Sequence, residues 1–523
     1  MNSVFSTPIS EMEKKFDFIK KSKAALFSFF SMMPKGGNLH HHFSNMSYAE
    51  AYINFLMKQD FYINVRNFVI LVSLDNIREE PSNYVKFKEL SASELMEYKL
   101  HLMKIWDTKE FYDTLSKDLF FFSIFGQFDL GRNNNDYHAS LQTLKTKALN
   151  QNISYMESMF LYCQYSLVQE KHASALNDFN EKLVAFNEKL KHVAYPYPVE
   201  IITEFNALAH AIYDTCKTEI IAAANAHNEK VKQALGNDIN DENFVIKFQN
   251  FVFRNQNPID VFISLAASFH SSSTSSDING VNIVSAENAE NALKFYDLHL
   301  LFYRFFEKKY PKETYALQAG ELSSASVGAE YLGTHVRKTL MLRNLRRIAH
   351  GLDIVYDRQV FDTLMQIQNR NEISKELQNY YDLNFDINYL EKSHIENKPF
   401  LAFECNFTSN EYLFNLKPDM HPVSLFSKYN IPVVICSDDE GIISTNITEQ
   451  FVTLTYTHDF TYKEIKKMCF DSIRYANIKD LEIKKKLFAK LLHDFEVFEN
   501  SVDDFINGFP ARKTAQIGFA EYK

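Results

Sequence analysis

Residues 36–45 read GGNLHHHFSN. Along an extended strand side chains alternate faces, so His40 and His42 share one face and His41 takes the other. Two imidazoles on one face make half of a metal site, and Zn2+ accepts nitrogen and carboxylate ligands readily. Taken alone, the triplet fits buried structural histidines or a polar loop as well, because short His clusters are weak signals. Three other short apolar runs also end in polar chemistry: Gln318-Ala319-Gly320-Glu321, His350-Gly351 and Asp438-Asp439. A strand buried on both faces should be almost wholly apolar. Polar residues at four such ends therefore point to one assembled site, in which Asp438 is the candidate third ligand.

Eight apolar or β-branched runs position these residues: 38–43, 153–160, 243–253, 280–284, 314–320, 346–351, 400–405 and 431–439. Long helical patterns separate most of them, which predicts βαβ units and a parallel sheet. Eight units predict an α/β chain built as a (β/α)8 TIM-type barrel, whose C-terminal strand ends converge on one mouth. An open doubly wound sheet is the alternative.

Residues 1–35 read as a helical lead-in and 36–523 as the barrel. The connection over 44–152 is too long for one crossover helix and reads as a helical insertion, with further helices over 165–235. Amphipathic stretches near the C-terminus, KEIKKMCFDSIRYA and LEIKKKLFAKLLHDFEVFENSV, read as closing helices. The stretch SFHSSSTSSDING (268–280) reads as a flexible connection. The run FFFSIFGQF (120–128) reads as core or a dimer contact, and the sequence leaves a homodimer open.

Composition excludes several classes. A hydrophobic content of 46% with 23% charged residues suits a large buried core. Forty-seven Phe and 28 Tyr against 13 Gly and 12 Pro favour aromatic-rich helices over a turn-dense all-β fold. A net charge of -10 argues against a nucleic-acid partner, which needs clustered Lys and Arg. Five cysteines without a CxxC pair argue against disulfides and a cysteine zinc site, and for a reducing compartment. Lys20, Lys21 and Lys23 before AALFSFFSMM (24–33) imitate a targeting signal. That run is too short to span a bilayer and lacks a small-residue cleavage site, so it reads as a buried helix. No membrane partner is expected, and the location is cytoplasmic or exported without a cleaved signal peptide.

Five blocks carry a family resemblance: PKGGNLHHHFSNMSYAEAY (34–52), QAGELSSASVGAEYLGTHVRKTL (318–340), LRRIAHGLDI (345–354), FECNFTSNEYL (403–413) and VVICSDDEG (433–441). In this order they resemble the adenosine deaminase family, above all its growth-factor-related branch. The resemblance implies that His40, His42 and Asp438 bind Zn2+. It implies that Glu321 protonates the purine ring nitrogen next to the reacting carbon. His350 would orient or deprotonate the attacking water, and Asp439 would hydrogen-bond the nucleophile and the substrate. Ser44, Ser285 and Gly320 would contact the substrate.

The implied reaction is metal-dependent hydrolysis of adenosine, or of a related 6-aminopurine nucleoside or nucleotide, to the 6-oxo product and ammonia. Such a displacement needs a strong nucleophile, and a metal lowers the pKa of bound water towards about 7. Ring protonation draws electrons from the attacked carbon, so Glu321 should be protonated on substrate arrival, as burial favours.

The chain also departs from that pattern. Gln318 stands where the family has a third zinc-binding histidine. An amide oxygen is a neutral, poorer zinc donor, so affinity is weaker, another divalent ion is preferred, or Gln318 makes no metal contact. Asn45 and Ser285 stand where glycines are usual, Ala349 replaces a glycine before His350, and Asn406 replaces a proline after Cys405. The alternative function is a nucleoside-binding protein or pseudoenzyme on the same fold. Asn410 and Glu411, near the end of the seventh run, either shape the pocket mouth or, as most such loop polars are, stay solvated, and Cys436 reads as core.

Overall fold

The computed structural model describes residues 9–75, 77, 79–106, 137–371 and 401–508. Eleven strands lie within them: β1 (Gly36–Asn38), β2 (Tyr62–Asn64), β3 (Ile70–Leu71), β4 (Tyr84–Lys86), β5 (Ile153–Met159), β6 (Val245–Phe253), β7 (Ile278–Val284), β8 (Tyr315–Ala319), β9 (Leu345–His350), β10 (Ala402–Cys405) and β11 (Val433–Ile435). Eight of these are the expected apolar runs. They form two parallel sheets, β1-β5-β6-β7 and β11-β10-β9-β8.

The sheets meet along two seams. At the first, His41 and Asp438 form a parallel bridge just past β1 and β11, and the Asp438 N–H donates to the His40 carbonyl at 3.0 Å. At the second, the Gln318 N–H of β8 donates to the Asn282 side chain of β7 at 2.9 Å. Gly280 makes that approach feasible: a Cβ there would lie 2.7 Å from the Thr314 carbonyl, and its φ is +101°. The eight strands thus run in cyclic order, the TIM-type arrangement expected.

The strand ends shift in one informative place. β1 stops at Asn38 rather than continuing through Phe43, and only isolated bridges at His41 and His42 follow. A 3-10 turn, Phe43–Asn45, then ends the segment. The histidines therefore lie beyond the regular ladder, where backbone and side chains are free to turn inward.

The serine-rich stretch is not a flexible connection. Pro258–Thr274 is a helix in which Ser264, Ser268, Ser271 and Ser272 are all buried. Asn250 Nδ2 donates to Ser271 Oγ at 2.9 Å, and Ser271 Oγ donates to Asn228 at 2.6 Å. Small side chains let this helix pack closely on Val199–Leu235 and β6, and tertiary partners take up the Ser271 and Ser272 hydroxyls that would otherwise favour a turn.

The 44–152 segment carries helices Ala49–Leu56, Ala92–Trp106 and Tyr137–Asn150, together with a small antiparallel sheet, β3-β2-β4. Its apolar cluster, including Tyr52, Ile53, Phe87 and Trp106, takes in Ile442 and Ile443 from just beyond Asp438-Asp439. The insertion thus braces the loop that holds the two aspartates. The aromatic run 120–128 lies outside the described residues.

The lead-in helix Lys23–Met32 buries Ala25, Leu26, Phe29 and Phe30. No helix among the described residues is long and apolar enough to cross a membrane. All five cysteines are buried and free.

Candidate metal centre

His40, His42 and Asp438 come together at the mouth. His40 Nε2 and His42 Nε2 lie 3.4 and 3.5 Å from the same Asp438 oxygen, and the three offer one ligand atom each within a radius suited to one ion. Asp438 reaches this place with a φ of +62°. Left-handed backbone at a non-glycine residue costs on the order of 1–3 kcal/mol and needs surrounding support. Ser285 and His350 share the feature, at +81° and +67°, so three strained residues border one site. His41 points away, as the strand alternation predicts, with Nδ1 2.9 Å from Ser158 Oγ.

Gln318 belongs to this group. Its Nε2 lies 3.2 Å from His40 Nε2 and 3.3 Å from His42 Nε2. Its Oε1 lies 3.4 Å from Arg254 Nη2. The carboxamide therefore faces both ring nitrogens with its donor end. A half-turn about its last bond would present the oxygen instead and give up the Arg254 contact.

A buried ion-pair chain aims His40. Its Nδ1 sits 2.7 Å from Glu404 Oε2, which fixes Nδ1–H as donor and leaves Nε2 for a metal. Arg347 bridges Glu404 and Glu157, and all three are fully buried. Gln249 donates to Glu157 at 3.0 Å and the Asn477 N–H at 2.6 Å. Sequence reasoning missed this chain. Its signal was present, since RRIAH and FLAFEC place Arg347 and Glu404 inside runs that should be apolar on both faces. Glu404→Gln keeps the shape and removes the charge, and should weaken metal retention about 10–100-fold. Dialysis against graded chelator with metal analysis reads it.

The charges ask for a cation. Burial alone would lower the pKa of His40, but Asp438 and Glu404 outweigh it and raise the value to about 10. Burial works to raise the Asp438 carboxyl, yet His40, His350 and His42 hold it well below the usual range. Asp439 moves the other way, raised by burial and by Asp438 beside it. A nitrogen pair, an ionised carboxylate and an amide, ordered from behind by Glu404, fit a divalent metal ion.

Glu321 and His350 face the same centre. Glu321 Oε1 lies 3.5 Å from His350 Nδ1, and His350 Nε2 is 3.9 Å from Asp438 Oδ2. Burial, then Asp438, push the Glu321 pKa well up despite Arg254. Burial lowers His350 to about 3. Glu287, which the sequence reading also missed, carries the Gly320-Glu321 turn: its oxygens accept the Gly320 N–H at 3.0 Å and the Glu321 N–H at 2.8 Å. Burial opposes ionisation of Glu287, but Arg254 and His335 prevail and bring it to about 2.

Asn45, in the turn after the histidines, is buried and donates its amide to Asp439. Asn410 is not a solvated loop residue: it is fully buried with Nδ2 2.9 Å from His350 Nδ1. Ser44 and Ser285 are half-buried beside the site. Neither makes a hydrogen bond or ion pair to it among the described residues.

No family model matches the chain. Over 177 residues it is 24% identical to an adenosine deaminase of Clostridium perfringens, covering 34% of this chain and 44% of that protein. Over 98 residues it is 34% identical to an adenosine deaminase of Plasmodium falciparum, covering 18% and 26%. The chain thus spans less than half the length of these curated relatives. Among solved structures, an adenine deaminase from Arthrobacter aurescens aligns with a TM-score of 0.47 at 15% identity, over 88% of this chain and 99% of that one. The apo N6-methyl-AMP deaminase of Arabidopsis thaliana aligns at 0.47 and 10% identity, over 91% and 99%.

Proposed function

We propose that this chain, which is adenosine deaminase-like in sequence, is a metal-dependent aminohydrolase. It hydrolyses adenosine, or a related 6-aminopurine nucleoside or nucleotide, to the 6-oxo compound and ammonia. The observation that carries this reading is the convergence of His40, His42 and Asp438 with Glu321, His350 and Asp439 at one mouth. Residues more than 390 positions apart supply it, which accidental surface polarity does not explain.

His40, His42 and Asp438 would hold the metal, with Gln318 at its edge. When bound, the metal supplies the Lewis acidity that makes a water nucleophilic near neutral pH. Glu321, kept protonated by burial, donates to the ring nitrogen and draws electron density from the adjacent carbon. The Glu287 carboxylate fixes the Glu321 backbone, so the acid meets the ring in one geometry. Asn45 holds Asp439 beside the attack position. Of the two protons the water brings, one leaves with the amine as ammonia. The other restores Glu321, and the ring nitrogen keeps the proton it received.

Metal quantification and a deamination screen on one purified sample test the reading. The screen runs adenosine, adenine nucleotides and N6-substituted adenines. Stoichiometric divalent metal with turnover of one of these is expected. Metal-loaded protein that leaves all of them unchanged would sink the proposal. A second reading, a nucleoside-binding protein, is favoured by the amide nitrogen of Gln318 facing both histidines. Protein that carries no metal and folds alike before and after chelation would support it.

Gln318→His distinguishes how close that residue comes to the metal. With Gln318 in the coordination shell, imidazole should raise zinc retention on dialysis, since nitrogen is the better donor. Unchanged retention would place the residue outside the shell.

A further inference from the structure

We infer that Asn410 is a positioning residue that locks His350 in the tautomer carrying its proton on Nε2, so that His350 acts as a hydrogen-bond donor towards the metal centre. The inference rests on the reading of the site as an aminohydrolase, but its first readout does not.

The geometry begins with β10. That strand ends at Cys405, and the helix Phe407–Phe414 starts two residues later. Asn410 lies in its first turn, where its backbone N–H bonds the Asn406 carbonyl at 3.0 Å. The side chain is thereby aimed from a fixed helix, not from a loop. Its Nδ2 lies 2.9 Å from His350 Nδ1, and both residues are buried. His350 has little freedom of its own. Its φ of +67° turns it out of β9, and a Cβ on the next residue, Gly351, would overlap the Phe403 ring at 2.4 Å.

An amide nitrogen only donates, so His350 Nδ1 must accept. A neutral imidazole carries one N–H and one lone pair, which puts the proton on Nε2. The amide could be placed the other way round, with the oxygen towards His350. In the orientation seen, the amide leaves its Oδ1 orphaned, buried without a partner. The reverse would strand two N–H donors there instead, and orphaned donors are the rarer and costlier case.

Glu321 Oε1, 3.5 Å from Nδ1, is beyond a strong hydrogen bond. The proton on Nε2 faces Asp438, 3.9 Å away, across the space where the nucleophile must sit. His350 then orients the attacking oxygen by donating to it. The two protons that the water loses go to the leaving amine and to Glu321, once Glu321 has given its own to the ring nitrogen.

The test is the ring-nitrogen NMR spectrum of full-length protein labelled with 15N-histidine, metal-free and zinc-loaded. The His350 signals are identified by their absence in His350→Gln. We expect a protonated-type shift at Nε2 and an unprotonated-type shift at Nδ1. In Asn410→Ala the two shifts should converge or exchange. Its kcat should fall about 10–100-fold with KM nearly unchanged, the pattern of an interaction lost only in the transition state.

A protonated Nδ1 in the native protein overturns the inference, as does an Asn410→Ala variant with unchanged ring shifts. Should that variant not fold, the native spectrum decides alone. Protein that shows the expected tautomer but turns over no adenine compound would sink the aminohydrolase reading and leave the tautomer assignment standing.

Discussion

Arg347→Met should lower folding stability by about 3–5 kcal/mol at neutral pH, the range for breaking a buried ion pair on one side. The guanidinium is wholly buried. It donates from Nε to Glu404, from Nη2 to Glu157 and from Nη1 to the Tyr475 carbonyl at 2.7 Å. Methionine roughly fills the volume but leaves two carboxylates facing each other without a cation. An exposed pair would cost at most about 1 kcal/mol, so a loss of that size would show that the chain is not the structural element described.

The pH dependence carries a sign. Burial raises the Glu404 carboxyl, but Arg347 first and then His40 outweigh it and hold it low. A carboxylate with a depressed folded pKa contributes stability above its unfolded value, about 4.3, and loses it as pH falls through the folded value. Without Arg347 that contribution disappears. The gap between variant and native protein should therefore narrow as pH drops from 7 into the acid range. Denaturant titrations at a series of pH values read both effects. The same variant should retain less metal, because Glu404 would no longer be held against His40 Nδ1.

The eight barrel strands were legible because each is a short apolar run between helical patterns, a signal that survives any uncertainty at its ends. The residues that converge at the mouth were legible for a related reason. Histidine, glutamate and aspartate at the tips of buried strands are costly unless used. Reading failed where polarity is satisfied by distant partners. The serines of Pro258–Thr274 carry a loop composition, yet Asn250 and Asn228 bond the Ser271 hydroxyl from 21 and 43 positions away in a buried interface. Glu404, Arg347, Glu287 and Asn410 were overlooked or taken as solvated for the same reason. Glu287 and Asn410 look unremarkable in their own segments, whereas Arg347 and Glu404 stand inside apolar runs, and the partners of all four lie on other segments of the chain. Asn45 shows a third case. It departs from the resembling blocks, and only the structure shows that the extra amide holds Asp439.

The largest catalytic loss is expected at Glu321. Glu321→Gln keeps the shape and the backbone bonds to Glu287 but cannot give up a proton. kcat should fall about 100–10,000-fold, the usual weight of a general acid. The pH profile separates this role from mere positioning. Burial first, and Asp438 second, raise the Glu321 pKa well above the ordinary carboxylate range. The working form is the protonated one, so kcat/KM should hold below that raised pKa and decline as pH rises through it. The residual activity of the glutamine variant should lack that decline.

Stability should move the opposite way. A group with a raised folded pKa contributes stability that is fully present below its unfolded value and is lost as pH rises through the folded value. Glutamine has no proton to lose, so Glu321→Gln should unfold at a higher temperature than the native protein on the alkaline side. At low pH, where both side chains are neutral, the two proteins should be alike. A variant that keeps native kcat would remove Glu321 as the acid. A variant equally inactive but no more stable at high pH would mean that Glu321 is already ionised in the folded chain. The proton would then have to come from elsewhere in the site, with Asp439, also raised by burial and by Asp438, as the next candidate.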